Sequence, residues 1–303
     1  MSLWQHYHRP ETVETALELL AKYNGRARVV SGGTDLLLEM QQGHKPPVEA
    51  LVDVTAVSEM NHIREQDGRI EIGAAVPHTQ IVNSPLIVQQ ATCLVESCGV
   101  IGGPQVRNVA TLGGNVAHAL PAADGTTALV VLDGQAEVAA ENGRNWHPIL
   151  TLFAGPGRSH VDHTRQLITR FRFPAAAPRT GTAFKRIMRP QGVALPILAC
   201  AVWVQMDEDQ PTIKDVRICI GPVRPVPCRA EAAEAGLRGQ SLTQALDHCV
   251  AAAQAEFSPR TSKYRATAEY RVEMIDVLLR RALPLAVQRA LTGAAIPEGV
   301  GLQ

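Results

Sequence analysis

Two pairs of neighbouring glycines lie in segments that could bind phosphate. The first is Ser31-Gly32-Gly33-Thr34 and the second is Thr111-Leu112-Gly113-Gly114-Asn115. Because glycine has no side chain, backbone N–H groups can approach phosphate oxygens there, and a helix that begins just afterwards adds partial positive charge. Either pair alone is also consistent with an ordinary turn. Two such turns, well separated in sequence, suit a diphosphate that bridges two subdomains.

The common nucleotide-binding motifs are absent from the sequence, which disfavours the P-loop and Rossmann classes. Asp124 follows the second glycine turn, and its carboxylate can accept hydrogen bonds from ribose or ribityl hydroxyls. The alternative for Asp124 is a helix N-cap. The two roles are compatible with each other.

Two further groups of polar residues have a spacing or charge that could indicate a site. His160 and His163 are spaced like metal ligands, but they lack the glutamate of a zinc-protease motif and a third ligand, which favours a surface loop. The basic stretch of residues 259–265, with Arg271, is typical either of a solvated helix face or of a contact with a partner subunit.

Local patterns predict the elements that position the first glycine turn. Residues 11–23 present an apolar helical face, and Asn24-Gly25 provides a left-handed stop. A short strand over residues 27–30 leads into the turn, and the apolar run 36–40 predicts that a helix starts just after it. Strands are also expected at residues 51–54 and 69–73.

Around and beyond the second turn the pattern changes. Residues 99–125 are rich in glycine and small residues, which predicts an ordered loop system. Residues 136–140 and 145–149 predict a hairpin with a type I′ turn at Asn142-Gly143. An Ala/Pro-rich linker is expected at 174–178. The final part contains predicted strands at 202–206 and 216–220 and predicted helices at 241–254 and 266–282.

Composition indicates an ordinary globular protein. The 303 residues are 46% hydrophobic and 19% charged, with 29 basic and 29 acidic side chains, so no net charge attracts nucleic acid or an anionic membrane. No apolar run reaches the roughly 18 residues of a membrane span, and no signal peptide is evident, so a cytoplasmic protein is expected. Six cysteines without a C-x-x-C pair predict reduced, buried thiols.

A specific resemblance emerges from the two turns and their flanks. Residues 103–115, GPQVRNVATLGGN, closely resemble the flavoprotein subunits of the xanthine dehydrogenase and carbon monoxide dehydrogenase family, which are molybdenum hydroxylases. Residues 30–36, VSGGTDL, resemble that family's first FAD motif. The resemblance covers most of the chain, and it is somewhat closer to the xanthine dehydrogenase branch.

The resemblance implies FAD as the cofactor and a set of residues that bind it. Residues 29–36 and 111–115 would surround the pyrophosphate, Asp124 would bind a sugar-chain hydroxyl, and Ile101 would lie near the flavin ring. Lys185 resembles a lysine that approaches the isoalloxazine, where a cation would stabilise the reduced ring. The full set is Val29, Val30, Ser31, Gly32, Gly33, Thr34, Asp35, Leu36, Ile101, Ala110, Thr111, Gly113, Gly114, Asn115, Asp124, Leu167 and Lys185.

Departures from the family pattern also carry information. Many relatives have an acidic residue shortly after the segment that contains Lys185, where this chain has Gln191-Gly192-Val193-Ala194. Relatives with an extra iron–sulfur cluster carry a cysteine-rich insertion that this chain lacks. FAD alone is therefore predicted, with molybdopterin and 2Fe–2S clusters in partner subunits.

The resemblance further implies an α+β fold and an electron-transfer function. We expect a FAD-binding domain of the PCMH or vanillyl-alcohol-oxidase type in two subdomains, residues 1–56 and 57–177, followed by a C-terminal sheet-and-helix domain, residues 178–303. A large molybdopterin-binding subunit would hydroxylate the substrate, a purine or other N-heterocycle. Electrons would pass through a small 2Fe–2S subunit to this FAD and on to NAD⁺ or another acceptor, without a catalytic acid, base or nucleophile in this chain.

Three other functions are alternatives to this one. A carbon monoxide dehydrogenase-type medium subunit would share the same FAD motifs. A self-contained flavin oxidase would need a substrate pocket in the C-terminal domain, which offers no clear cluster of histidine, tyrosine and arginine. A non-redox assembly subunit that has lost its flavin would not need intact glycine turns.

Overall fold

A small parallel sheet begins the fold in the computed structural model, which describes residues 2–189 and 195–299. Its three strands lie in the order β1-β3-β2, and helix α1 covers it. Thr12 caps this helix, and Asn24 ends it in the left-handed conformation with φ of 44°, as predicted. The elements are β1 (His6–His8), α1 (Val13–Tyr23), β2 (Ala27–Val30), α2 (Leu36–Gln41) and β3 (Ala50–Asp53).

An antiparallel sheet of five strands, in the order β4-β5-β10-β6-β7, forms the next layer. The predicted hairpin is present, but its turn is not type I′. Such a turn needs a positive φ at both central residues, here Glu141 and Asn142, and neither has one; only the following Gly143 does. The strands, with a separate small hairpin, are β4 (Ile63–Gln66), β5 (Arg69–Gly73), β6 (Gln135–Ala140), β7 (Gly143–Pro148), β8 (Phe153–Gly155), β9 (Arg158–Ser159) and β10 (Leu167–Pro174).

Six helices lie between β5 and β6. The loop system predicted for residues 99–125 is wrong in part, because this region folds into two short helices and the start of a third. Small residues there allow close packing of helices as well as open turns. The helices are α3 (His78–Val82), α4 (Pro85–Gln90), α5 (Thr92–Gly99), α6 (Pro104–Arg107), α7 (Leu112–Ala117) and α8 (Asp124–Val131).

The C-terminal part is a four-stranded antiparallel sheet in the order β11-β12-β13-β14, with helices on one face. The predicted strands and helices are all found here, and the last helix continues through Pro284 to Thr292. The elements are β11 (Thr180–Met188), β12 (Pro196–Met206), β13 (Ile213–Gly221), β14 (Cys228–Arg229), α9 (Glu231–Leu237), α10 (Leu242–Glu256) and α11 (Ala268–Thr292).

The two faces of the C-terminal sheet pack into two different hydrophobic cores. Ala199 and Ala201 of β12 face α8 and join the first core, whereas their neighbours Leu198, Cys200 and Val202 face α11 and join the second. Successive side chains of a strand point to opposite faces, so a strand buried on both faces must be apolar throughout. The run of residues 196–204 meets this requirement.

A buried ion pair joins the two parts of the chain. Glu96 on α5 contacts Arg289 on α11 at 2.7 Å, and their side chains are 1% and 5% exposed. Glu96 also accepts the backbone N–H of Phe184 at 2.7 Å and that of Glu298 at 2.8 Å. Arg289 donates to the Thr182 carbonyl at 2.7 Å. One cluster therefore fixes α5, β11 and the end of the chain together.

The cysteines, the helix lengths and Arg271 bear on the remaining sequence predictions. All six cysteines are free thiols, of which only Cys228 is half-buried and the others are buried. Along residues 2–189 and 195–299, every helix is too short or too polar to cross a membrane. Arg271 is buried and donates to the Pro222 carbonyl at 3.2 Å, so it does not lie on a solvated helix face. The departure at residues 191–194 lies outside the described residues.

Candidate functional site

The first glycine turn connects β2 to α2 and leaves a series of backbone N–H groups free. Gly33 has a φ of +70°, a conformation that favours glycine. Among the described residues, no backbone carbonyl accepts a hydrogen bond from the N–H groups of residues 32–36. Asp35, at the N-cap of α2, makes no capping hydrogen bond with its side chain. Consecutive free N–H groups of this kind form an anion-binding concavity.

The second glycine turn differs, because its own N–H groups are already paired. Leu112 donates to the Val76 carbonyl at 3.1 Å, and Gly113 donates to the Ala74 carbonyl at 2.9 Å. Thr111 caps α7 by accepting from the Gly114 N–H at 3.1 Å. The second turn therefore contributes shape rather than free donors.

Individual glycines in the two turns serve different purposes. A Cβ atom on Gly32 would lie 2.2 Å from the Val109 carbonyl oxygen, and one on Gly113 would lie 2.4 Å from that of Ala74. These two glycines are required by packing within the protein. A Cβ atom on Gly114 would meet only Thr111 Oγ1, at 3.3 Å, so the space beside Gly114 is left for something other than the protein.

Both turns border one cleft of about 340 Å³, a volume within the usual range for ligand pockets. All of the residues predicted to bind the cofactor line this cleft except Asp124 and Lys185. The structure thus brings together residues 29–36, 110–115, Ile101 and Leu167 from four separate segments. Its walls are mainly apolar, and free backbone N–H groups are concentrated at the first turn.

Asp124 is the first residue of α8 and is not among the residues that line the cleft. Its Oδ2 contacts Arg186 Nη1 at 2.5 Å, and both side chains are about 5% exposed or less. Burial raises the pKa of Asp124 to about 6, although Arg186 acts in the opposite direction. Ala123 occupies the N-cap position, so the N-cap alternative for Asp124 is wrong. Asp124 Oδ1 has no hydrogen-bond partner within the described chain.

Lys185 also lies outside the cleft lining. Its neighbour Phe184 on β11 packs into the first core, and Ala183, two positions from Lys185, packs into the second. Lys185 Nζ contacts the Glu298 carboxylate at 2.6 Å, and this contact lowers the pKa of Glu298. The role of Lys185 beside the flavin ring stays a prediction.

Histidines that the sequence patterns did not assign to this site also line the cleft. His163 is half-buried, burial lowers its pKa to about 4, and its Nε2 is 3.3 Å from the Ala117 carbonyl oxygen. His160 is exposed, and the described residues contain no group of side chains arranged to hold a metal ion. His78 and His118 complete the set. No local sequence signal marks these histidines, since only the tertiary fold brings them to the cleft.

Comparison with protein families agrees with this geometry. Residues 3–176 match the family described as the FAD binding domain in molybdopterin dehydrogenase. The chain belongs to this family of FAD-binding subunits. Residues 182–286 match the CO dehydrogenase flavoprotein C-terminal domain. The resemblance seen in the sequence is therefore confirmed, as is FAD as the cofactor of this oxidoreductase component.

Individual relatives cover nearly the whole FAD-binding subunit. The xanthine dehydrogenase FAD-binding subunit of Escherichia coli O157:H7 is 30% identical, over 94% of this chain and 96% of the relative. The carbon monoxide dehydrogenase medium chain of Hydrogenophaga pseudoflava is 29% identical, over 93% and 97%. A solved carbon monoxide dehydrogenase from the same organism superimposes with a TM-score of 0.87 at 30% identity, over 94% of this chain and 98% of the matched chain. The α+β fold class is thereby confirmed.

Proposed function

We propose that this FAD-binding subunit carries electrons within a heteromeric molybdenum hydroxylase. A large molybdopterin-binding subunit hydroxylates the substrate, a purine or another N-heterocycle, and a small subunit supplies electrons from its 2Fe–2S clusters. FAD held by this chain would supply the redox chemistry that links those clusters to NAD⁺ or another acceptor. The relatives named as xanthine dehydrogenase and carbon monoxide dehydrogenase subunits support this role.

The observation that carries the proposal is that the first glycine turn offers free N–H donors and the second offers open space. The free N–H groups of residues 32–36 provide donors for an anion, and the empty side of Gly114 provides room for one. Both border the same cleft, so a diphosphate fits between them better than any neutral apolar ligand would.

Within this proposal the predicted residues divide by role. Residues 29–36 and 110–115 hold the diphosphate, Ile101 lies against the flavin ring, and Leu167 belongs to the same binding wall. Asp124 and Lys185 are kept as FAD contacts in this proposal, and in the described chain they are paired with Arg186 and Glu298. We assign residues 1–56 and 57–177 as the two FAD-binding subdomains and residues 178–303 as the C-terminal domain.

The side chains of this subunit act by position and charge. The apolar cleft walls exclude water, and the free N–H groups fix the diphosphate. We assign no residue of this chain as an acid, base or nucleophile, since substrate hydroxylation belongs to the partner subunit.

Purification from the native source tests the assembly. We expect the chain to co-purify with two further subunits that carry molybdenum and iron in stoichiometric amounts. A single yellow protein that is reduced directly by a substrate would instead indicate a self-contained flavin oxidase. A colourless chain would contradict every flavin-dependent function.

A pair of glycine variants tests the binding site itself. Gly114→Val extends into the space beside the turn and presses only on Thr111 Oγ1, so we expect the chain to fold with a small loss of stability and to lose FAD. Gly113→Val is the contrasting variant, because its side chain would collide with the Ala74 carbonyl and destabilise the fold. Flavin absorbance reports FAD content, and circular dichroism reports folding. Normal FAD content in folded Gly114→Val would refute the assignment.

A further inference from the structure

The loop between α10 and α11, residues 257–267, contains the basic stretch seen in the sequence and is ordered by its own hydrogen bonds. The Ser262 N–H donates to the Ala266 carbonyl at 2.9 Å, and the Ala268 N–H donates to Thr261 Oγ1 at 3.0 Å. The loop therefore folds back against the start of α11, which brings its basic side chains next to those of the first helical turn.

Three arginines come together where this loop meets the helix. Arg271, in the first turn of α11, is 4% exposed, whereas Arg265 is half-buried and Arg260 is exposed. Burial lowers the pKa of Arg271, and the charges of Arg265 and Arg260 lower it further, as expected for neighbouring cations. Like charges held close together repel, so the cluster destabilises the chain unless an anion offsets it.

The chain itself provides no side-chain carboxylate to offset the three arginines. Within residues 2–189 and 195–299, Arg271 donates to the Pro222 carbonyl at 3.2 Å, and none of the three forms an ion pair. Glu256, the closest carboxylate before the loop, instead accepts the N–H groups of Glu231 and Ala232. The other residues of the chain, 1, 190–194 and 300–303, include no aspartate or glutamate.

Two exposed tyrosines accompany the arginines. Tyr264 is 72% exposed and Tyr270 is 43% exposed, and Arg189 at the end of β11 donates to the Tyr264 carbonyl. Arginine and tyrosine are enriched at the centres of protein interfaces, and a surface that is already ordered loses little entropy when a partner docks. We define the arginine–tyrosine surface as Arg260, Lys263, Tyr264, Arg265 and Tyr270.

We infer that the arginine–tyrosine surface docks an acidic face of a partner subunit, whose carboxylates lie beside the arginines. The inference rests on the proposed function and locates one contact of that assembly. Charge complementarity supports it, because the whole chain has 29 basic and 29 acidic side chains and yet leaves this cluster unbalanced. The buried charge of Arg271 adds to the field at the surface without touching the partner. The cluster has too few charges for the many phosphate contacts of a nucleic-acid site.

The test uses an affinity-tagged full-length chain expressed in its native source and measures the molybdenum and iron that co-purify with it at increasing NaCl concentration. Arg260→Glu/Lys263→Glu reverses two exposed charges outside both cores and the cleft, so we expect the variant to fold and keep FAD. Co-purifying molybdenum, iron or both should fall about ten-fold, because like charges would then face the partner. Arg260→Gln/Lys263→Gln should show a smaller loss, and salt should weaken the wild-type complex.

Lys214→Glu/Arg281→Glu is the matched control, with the same change of charge. Both residues are exposed in the C-terminal part, and neither forms an ion pair in the described chain. We expect its metal content to stay within about two-fold of the wild type. Flavin absorbance and circular dichroism of each variant separate loss of docking from misfolding.

Wild-type metal content in folded Arg260→Glu/Lys263→Glu, or equal losses in this variant and the control, would overturn the docking surface. If the charge-reversed variant misfolds, unchanged metal content in Arg260→Gln/Lys263→Gln at every NaCl concentration would overturn it equally. A wild-type chain that carries neither metal would instead overturn the proposed function.

Discussion

Replacing Arg289 by methionine should destabilise the protein strongly. Arg289→Met keeps most of the side-chain volume but removes the guanidinium that contacts Glu96 and the Thr182 carbonyl, both at 2.7 Å. Glu96 is 1% exposed and would be left as a buried charge without a cation. Breaking a buried ion pair in this way costs about 3–5 kcal/mol. Because Glu96 retains two backbone N–H donors, we expect about 3 kcal/mol.

The free energy of unfolding, measured by urea denaturation with circular dichroism at pH 7, checks this value. Arg280→Met is the matched control on the same helix. Arg280 contacts Asp247 and Asp276, each at 2.6 Å, but it is 43% exposed, so we expect a free energy of unfolding close to that of the wild type. The double variant Glu96→Gln/Arg289→Met should be more stable than Arg289→Met, since it no longer buries an unpaired charge.

Two results would contradict this reasoning. One is an Arg289→Met protein as stable as Arg280→Met, which would mean that burial of the Glu96 carboxylate does not need the guanidinium. The other is a double variant no more stable than Arg289→Met, which would show that the loss came from packing rather than from charge.

Three further outcomes are expected. Gly32→Ala should lower stability by about 1–3 kcal/mol in urea denaturation, because its Cβ would lie 2.2 Å from the Val109 carbonyl oxygen; an unchanged free energy of unfolding would be inconsistent with this contact. Burial raises the pKa of Asp124 to about 6 from 3.8 in the unfolded chain, so its contribution to stability is present below pH 4 and lost as pH rises through 6. Asp124→Asn should therefore show a flatter stability profile between pH 4 and 6, and an identical slope would exclude this residue as the source. If Lys185 approaches the flavin, Lys185→Met should lower the reduction potential of bound FAD in spectroelectrochemical titration, whereas an unchanged potential would remove it from the site.

The sequence predicted features that depend on local pattern and missed those that depend on distant contacts. The face of α1, the first turn and the presence of the hairpin follow from local pattern, although the turn of the hairpin is not the predicted type. In contrast, Gly32 and Gly114 look alike in sequence, and only the position of Val109 separates a packing role from a binding role.

The contacts of charged residues were likewise not predictable from local sequence. Glu96 and Arg289 are paired across most of the chain, and nothing near either residue marks the contact. Asp124 and Lys185 were assigned to the flavin by resemblance, and the structure pairs them with Arg186 and Glu298.

The C-terminal sheet that contributes to both cores has a consequence for how the protein responds to ligand. Since β12 packs against α8 on one face and α11 on the other, neither half can melt without exposing apolar surface of the other half. The two halves should therefore unfold in one cooperative transition. A ligand bound only in the N-terminal cleft raises the melting temperature of the whole transition by mass action. Protease resistance of α11, which does not line the cleft, thus becomes a measure of how much of the protein carries its flavin.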